Sequence, residues 1–217
     1  MAGLRLARYA EPMSESSAFA YFLSAEKLSR IGRDASPLTP ASLRKTHVGQ
    51  VANDEFLEQI LEAAEAMLAG RTSDHEEQVK VLAVWAVIDA LTPASDKGHV
   101  GEPFFDLDEL VALLKKNKKA PAVREAFERL SSSNRHGVPS ALLKREDHFM
   151  PPSMTFIAKV DDALLTQSQA VASDFENDAE WTAALDCEPD EVAELLGWFA
   201  QAHERKTGLF LVYNFDL

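Results

Sequence analysis

The chain is organised around the eleven residues from Val81 to Leu91, V-L-A-V-W-A-V-I-D-A-L, of which ten are apolar. One face of an amphipathic helix cannot hold so many apolar side chains, so a helix here needs neighbours on nearly every side. Ser73 and Glu76 have the spacing of a capping box and mark its start, while Pro93 marks its end because the residue before a proline avoids helical geometry. The stretch predicts a buried central helix over about residues 73–91.

Asp89 is the one charged residue in that apolar run. A carboxylate buried among apolar side chains needs hydrogen-bonding or ionic partners. Because Asp89 lies near the end of the predicted helix, we expect its side chain to reach solvent.

Apolar periodicity and capping residues predict further helices on both sides of the central one. They are a helix from Ser14 or Ser16 to about Ile31, one from Asn53 or Asp54 to before Gly70, and helices over about 106–116, 121–130, 157–172, 178–186 and 189–206, with a short one from Ser140. Residues 34–48 and 92–105 are predicted to be loops, since both segments are rich in residues typical of turns.

Two terminal segments have β-strand character. Residues 3–9 alternate weakly, and the largely apolar run from Leu209 to Phe215 contains several residues that favour strands. Because one strand cannot stand alone, we expect the C-terminal run to pair with 3–9 or with Thr155 to Val160. The predicted fold is mainly α: a single helical domain over residues 1–217 with one or two short terminal β-strands. The alternative is a subdivision near 92–105 or 149–155.

Composition restricts the class of protein. The 217 residues are 46% hydrophobic and 26% charged, which is ordinary for a soluble globular protein, and no apolar run is long enough to span a membrane. With Cys187 as the single cysteine, no intrachain disulfide can form, which fits a reducing compartment. Glu11 and Glu15 precede the apolar stretch 18–23 where a signal peptide carries positive charge, so secretion is not expected. We expect a cytoplasmic protein.

The standard motifs of catalysis are absent from the sequence. It contains no Gly-x-Ser-x-Gly elbow, no Walker-type lysine loop and no Gly-x-Gly-x-x-Gly. No two of the six histidines have the i, i+4 spacing of zinc ligands on a helix. Cys187 lies between Asp186 and Glu188, whose charges raise a thiol pKa rather than activate it. We therefore predict no cofactor and no metal, and we regard an enzyme as less favoured than a binding protein.

Charge is strongly segregated in a chain whose formal net charge is −13. Residues 160–204 contain twelve Asp and Glu and no Lys or Arg, whereas residues 115–145 contain nine Lys and Arg against two Glu. Acids at helix starts and mutual neutralisation of the two segments offer a purely structural explanation. The functional explanation is a polarised surface that attracts a basic partner. The residues predicted to bind that partner are Asp174, Glu176, Asp178, Glu180, Asp186 and Glu188.

The sequence thus favours a non-catalytic soluble binding protein of the inhibitor, immunity-protein or antitoxin kind, which presents acidic C-terminal helices to a basic protein. Binding to nucleic acid is not expected, because phosphates repel so acidic a chain. One alternative is a phosphodiester-cleaving or RNA-binding protein that uses the basic segment, with Arg129, Arg135 and His136 at its centre. Another is an assembly or scaffold protein whose C-terminal strand adds to a neighbour's sheet. The oligomeric state is left open.

Overall fold

The computed structural model describes residues 16–31, 38–71, 73–100, 107–131, 154–185, 187 and 189–215. Within these ranges the chain forms four β-strands and ten α-helices, which confirms a mainly α fold with short strands. The strands are β1 Ser16–Leu23, β2 Lys97–Val100, β3 Met154–Ile157 and β4 Gly208–Phe215. The helices are α1 Ala25–Ile31, α2 Pro40–Leu43, α3 His47–Val51, α4 Asp54–Leu68, α5 Glu77–Leu91, α6 Leu107–Lys116, α7 Pro121–Ser131, α8 Asp162–Asn177, α9 Ala179–Leu185 and α10 Pro189–Arg205.

The four strands form one antiparallel sheet in the order β2-β1-β4-β3. β1 and β4 pair along their full length, from Ser16 opposite Phe215 to Leu23 opposite Gly208. On its other side β4 pairs with β3, with Met154 opposite Val212. The predicted C-terminal strand is therefore confirmed as an element, and it lies inside the sheet. Over Leu209 to Val212 both edges of β4 are already paired, so this part of the strand is not open to a neighbour's sheet.

The sheet carries helices on both faces, since successive residues of a strand point to opposite sides. Ala18, Ala20 and Phe22 of β1 belong to a core shared with α6 to α10. Phe19 and Tyr21 belong to a second core shared with α1 to α5. Both faces of β1 are thus apolar and covered, so the strand does not show the polar and apolar alternation of a half-exposed strand. This is the physical reason why residues 16–23 were wrongly predicted to be helical.

The central helix is confirmed, with a later start than predicted. In α5 the residues from Leu82 to Ile88 are all buried, and the helix ends before Thr92 as expected. It begins at Glu77, and its N-cap Glu76 makes no side-chain capping bond. Ser73 instead accepts a hydrogen bond from the backbone N–H of His75 at 3.3 Å, so the predicted capping box does not form. The Ser73 hydroxyl is used in the turn that precedes the helix.

Other element boundaries differ from the predicted ones where tertiary contacts, and not the local sequence pattern, determine the structure. The segment predicted to be a loop at 34–48 contains α2, and the one at 92–105 contains β2. The helix predicted from about residue 157 begins at Asp162, because β3 precedes it and the Asp161 carboxylate caps it by accepting from the Leu164 N–H at 2.9 Å. The predicted segments at 3–9 and from Ser140 lie outside the described residues. Among the helices described, none is long and apolar enough to cross a membrane.

Candidate functional site

A polar cleft opens over β1 and the edge strand β2, on the face of the sheet covered by α3 and α5. Phe19 lies directly opposite His99, and Tyr21 lies opposite Lys97. Residues opposite each other in an antiparallel pair project to the same face, as do residues two apart in a strand. The four side chains therefore form two neighbouring rungs. We call this place the histidine cleft; its lining consists of Phe19, Tyr21, Lys45, His47, Gln50, Asp89, Lys97, Gly98 and His99.

Asp89 is the centre of a hydrogen-bond network at the base of the cleft. It is 6% exposed, so the expectation that it reaches solvent is wrong. Its Oδ1 accepts from Lys97 Nζ at 2.6 Å, and its Oδ2 accepts from the His47 backbone N–H at 2.8 Å. The Tyr21 hydroxyl also donates to Asp89, and it accepts from Trp85 Nε1 at 2.5 Å. The carboxylate thus has the partners that a buried charge requires.

The network fixes the protonation state of Tyr21. Burial raises the pKa of the Tyr21 hydroxyl well above its ordinary value of 10.0, and the negative charge of Asp89 raises it further. The hydroxyl is therefore a hydrogen-bond donor at neutral pH and not a phenolate nucleophile. Its role in the cleft is to hold the carboxylate and to satisfy the buried indole N–H.

A tight corner between α2 and α3 positions His47. Thr46 caps α3 through Oγ1, which accepts from the Gly49 N–H at 3.0 Å and donates to the Leu43 carbonyl at 2.6 Å. A Cβ on Gly49 would lie 1.9 Å from that carbonyl oxygen, so no larger residue fits there. This close approach directs the His47 N–H at Asp89 and leaves the imidazole at the cleft wall.

Three aromatic rings form one end of the cleft. The ring centroids of His47 and His99 each lie 4.5 Å from that of Phe19 and 6.0 Å from each other. His47 also stacks on Trp85 at 5.4 Å. Partial desolvation lowers the pKa of His47 below 6.5, and the neighbouring His99 lowers it further against the opposing effect of Asp89. Desolvation likewise lowers the pKa of His99, and the opposing charge is that of Glu194. The neutral form of both imidazoles therefore predominates at pH 7.

A second cavity adjoins the histidine cleft. The cleft has a volume of about 310 Å³ and its neighbour one of about 270 Å³. The neighbour is lined by Thr39, Ala41, Ser42, Lys45, Thr46, Asp89, Ala90 and Lys97. The two share Lys45, Asp89 and Lys97, so these residues lie where the cavities meet. Each cavity is close to the lower limit of a small-molecule site, and together they exceed it.

Donors outnumber acceptors along this lining. Both oxygens of Asp89 are already used inside the protein, and the Thr46 hydroxyl is used at the α2–α3 corner. Lys45 is exposed, and its ammonium group makes no ion pair or hydrogen bond with any part of the chain that the structure describes. Lys97 gives one of its three N–H groups to Asp89. The cleft can therefore bind an acceptor-rich, negatively charged group.

The predicted acidic partner site is partly neutralised by the fold. Asp174 pairs with Lys119 at 2.8 Å, and Lys119 also lies over the Trp181 ring at 5.0 Å. Asp178 accepts from the Glu180 N–H at 3.0 Å at the start of α9. Local structure thus accounts for Asp174 and Asp178, and the Lys119–Asp174 pair is an instance of neutralisation between the basic and acidic segments.

The other residues of the predicted partner-binding site fall into two groups, those that are exposed and those that lie outside the described residues. Glu176 and Glu180 are exposed near the junction of α8 and α9, together with Asp178. Asp186 and Glu188 lie outside the described residues. The structure therefore brings Glu176, Asp178 and Glu180 together on one exposed stretch, with Asp174 drawn toward Lys119.

The structure describes only one of the three alternative catalytic residues, Arg129. Arg129 pairs with Glu125 one helical turn away at 2.5 Å, which is an ordinary helix-surface contact. Arg135 and His136 lie outside the described residues. Lys115 of the same basic segment pairs with Glu128 at 2.8 Å.

Comparison with protein-family models, with curated proteins and with solved structures finds no match to this chain. Within the described ranges, no three His, Cys, Asp or Glu side chains group closely enough to hold a metal ion. The geometry and chemistry of the cleft are therefore the features that indicate a function.

Proposed function

We propose that the protein is a binding protein for a small anionic ligand, whose phosphate or carboxylate group is held in the histidine cleft. The observation that carries the proposal is the imbalance between donors and acceptors. Among the described residues that line the cleft, Asp89 is the only carboxylate, and it is buried and fully used by Tyr21, Lys97 and the His47 backbone. Within the same part of the chain, Lys45 has no carboxylate partner.

The location strengthens this proposal because the chain as a whole is acidic. A net charge of −13 repels anions at long range, so an anion site requires local cations to dominate. Lys45 and Lys97 provide two at the junction of the cavities, and only the charge of Lys97 is compensated by Asp89. Hydrogen bonds from charged donors to an anion are about twice as strong as neutral ones.

Thermal unfolding in the presence of inorganic phosphate tests the proposal. A ligand that binds only the folded state raises its stability in proportion to the logarithm of ligand concentration once the site is largely occupied. We expect millimolar phosphate to raise the Tm of the wild-type protein when sodium chloride keeps ionic strength constant. Lys45→Met should remove most of that increase and leave the Tm without phosphate nearly unchanged, since Lys45 is exposed.

Lys116→Met is the matched control, because Lys116 is an exposed lysine on α6 and the substitution changes net charge equally. It should retain the full effect of phosphate. Equal losses in the two variants would show a general charge effect, and an unchanged response in Lys45→Met would contradict the assignment of Lys45.

A second candidate function remains the binding of a basic protein by the acidic C-terminal helices. The observation that favours it is the exposure of Glu176, Asp178 and Glu180 on one stretch between α8 and α9. Lys119, which lies over the Trp181 ring of α9, is already paired with Asp174. Exposed like charges of this kind increase the association rate with an oppositely charged protein.

Charge reversal tests this second function. Glu176→Lys with Glu180→Lys should slow association with a basic partner that co-purifies with the tagged protein, and should weaken the dependence of that rate on salt. Glu58→Lys with Glu65→Lys, two exposed acids on α4 outside the acidic C-terminal helices, is the matched control. Equal rates and salt slopes for the wild type and the first variant would show that the acidic stretch is only solvated surface.

A further inference from the structure

The histidine cleft has one chemistry at its outer end and another at its junction with the neighbouring cavity. This difference restricts the class of ligand that the cleft can bind. The end lined by Phe19, His47 and His99 is aromatic, whereas the junction lined by Lys45 and Lys97 is cationic. A ligand that fills the cleft therefore meets flat rings on one side and ammonium groups on the other. A bare inorganic anion contacts only the ammonium groups.

The register of the sheet sets the distance between the aromatic end and the cationic junction. His99 and Lys97 are two residues apart on β2 and face the same side, opposite Phe19 and Tyr21. Two residues along a strand span about 7 Å. A pentose can bridge a gap of this size between an anionic group and a ring.

His99 is the ring best placed to receive another ring. It is exposed, and it stacks with 22° between the planes on the buried ring of Phe19, so its outer face is a flat aromatic surface at the mouth of the cleft. Gln50, exposed in the lining and one helical turn after His47 on α3, carries an amide that can both donate to and accept from the edge of a heterocycle. Stacking tolerates any base, while an amide adds polar contacts at its edge.

On the basis of the proposed function, we infer that the ligand of the histidine cleft is a phosphorylated heteroaromatic compound of the nucleoside monophosphate class. Its phosphate lies between Lys45 and Lys97. Its base lies against His99, with Gln50 at the base edge. Tyr21 and Asp89 do not touch the ligand in this arrangement; they hold Lys97 and the His47 backbone in position.

Calorimetric titration of the full chain with three probes tests this inference. The probes are adenosine 5′-monophosphate, ribose 5-phosphate and inorganic phosphate, at one pH and ionic strength. The wild-type protein should bind the nucleotide at least about fivefold more tightly than ribose 5-phosphate, because base stacking on an aromatic side chain adds affinity of that order. His99→Ala should reduce this ratio to below about twofold and leave the affinity for ribose 5-phosphate unchanged.

His75→Ala is the matched control, since His75 is a surface histidine that pairs with Glu62 away from the cleft. It should retain the wild-type ratio. Gln50→Ala supplies a second variant that does not alter the sheet, and it should weaken binding of the nucleotide alone. Circular dichroism melting of each variant establishes that it is folded.

The outcomes separate this inference from the function on which it rests. Equal affinities of the wild type for the nucleotide and ribose 5-phosphate, both lost in Lys45→Met, would overturn the base site and leave the anion site intact. Absence of binding by all three probes would overturn both. A loss in His99→Ala that is equal for the nucleotide and ribose 5-phosphate would overturn the assignment of the base to His99.

Discussion

Removing Lys97 should destabilise the protein far more than removing an ordinary surface lysine. Lys97 Nζ lies 2.6 Å from Asp89 Oδ1, and the side chains of Lys97 and Asp89 are 31% and 8% exposed. At this distance the bare attraction is about 1.6 kcal/mol in water and about 6 kcal/mol at an effective dielectric constant of 20. Desolvation of the two groups cancels much of the larger figure.

The remaining partners of Asp89 limit the loss. Breaking a buried pair by removing one partner costs about 3–5 kcal/mol when the other charge is left uncompensated. Here Asp89 keeps its bonds from Tyr21 and from the His47 backbone N–H. We therefore expect Lys97→Met to lower the free energy of unfolding by about 2–3 kcal/mol, and Asp89→Asn by about 1–2 kcal/mol because Lys97 can turn to solvent.

A double-mutant cycle measured by urea unfolding isolates the pair. The double variant Asp89→Asn with Lys97→Met should lose less than the sum of the single variants, by about 1–2 kcal/mol. Lys116→Met, the exposed control, should change stability by less than about 0.5 kcal/mol. A coupling below about 0.5 kcal/mol would place the Lys97–Asp89 pair among weak surface ion pairs and would refute the account of the buried network.

Three further predictions concern the fold. Trp85→Ala should lower the free energy of unfolding by about 3–5 kcal/mol, since Trp85 is 1% exposed and its loss leaves a cavity; a loss below about 1 kcal/mol in denaturant unfolding would contradict its place in the core. Truncation after Gly208 should abolish cooperative thermal unfolding, because β4 pairs with strands on both sides; a normal melting transition would disprove this. Because the folded-state pKa of His47 lies below 6.5, its contribution to stability is present above about pH 6.5 and declines as the pH falls below that value. His47→Gln should therefore flatten the pH dependence of the urea midpoints between pH 5 and 7. An unchanged slope would count against burial of the ring.

Helices with local signals could be predicted closely from sequence. In α4 the Asn53 side chain accepts from the Phe56 N–H at 2.9 Å, as its position before an amphipathic run indicates. In α10 the proline at position 189 lies in the first turn, where its missing N–H has no helical partner to lose. These signals lie within a few residues of the boundary that they mark, so no distant contact is needed to interpret them.

The strands and the cleft could not be predicted in the same way, because their causes lie far apart in the chain. β1 becomes a strand through pairing with β4, and its apolar residues on both faces have no periodicity that separates strand from helix. His47 and His99 each have ordinary neighbours in the sequence, and only the β1–β2 register and the α2–α3 corner bring them to one place. The one usable signal was Asp89, since a carboxylate in an apolar helix must have partners if it is buried.

The pairing of β1 with β4 has a consequence for synthesis of the protein in the cell. Roughly 185 residues separate Leu23 from Gly208, so at about 5–20 residues per second the ribosome needs about 10–40 s to produce β4 after β1 has been made. Throughout that interval a strand with two apolar faces lacks its longest partner, and unpaired edges of this kind associate with other chains. Chaperones, or the helices of the N-terminal half itself, must therefore prevent aggregation of that half until β4 has been made and completes the sheet.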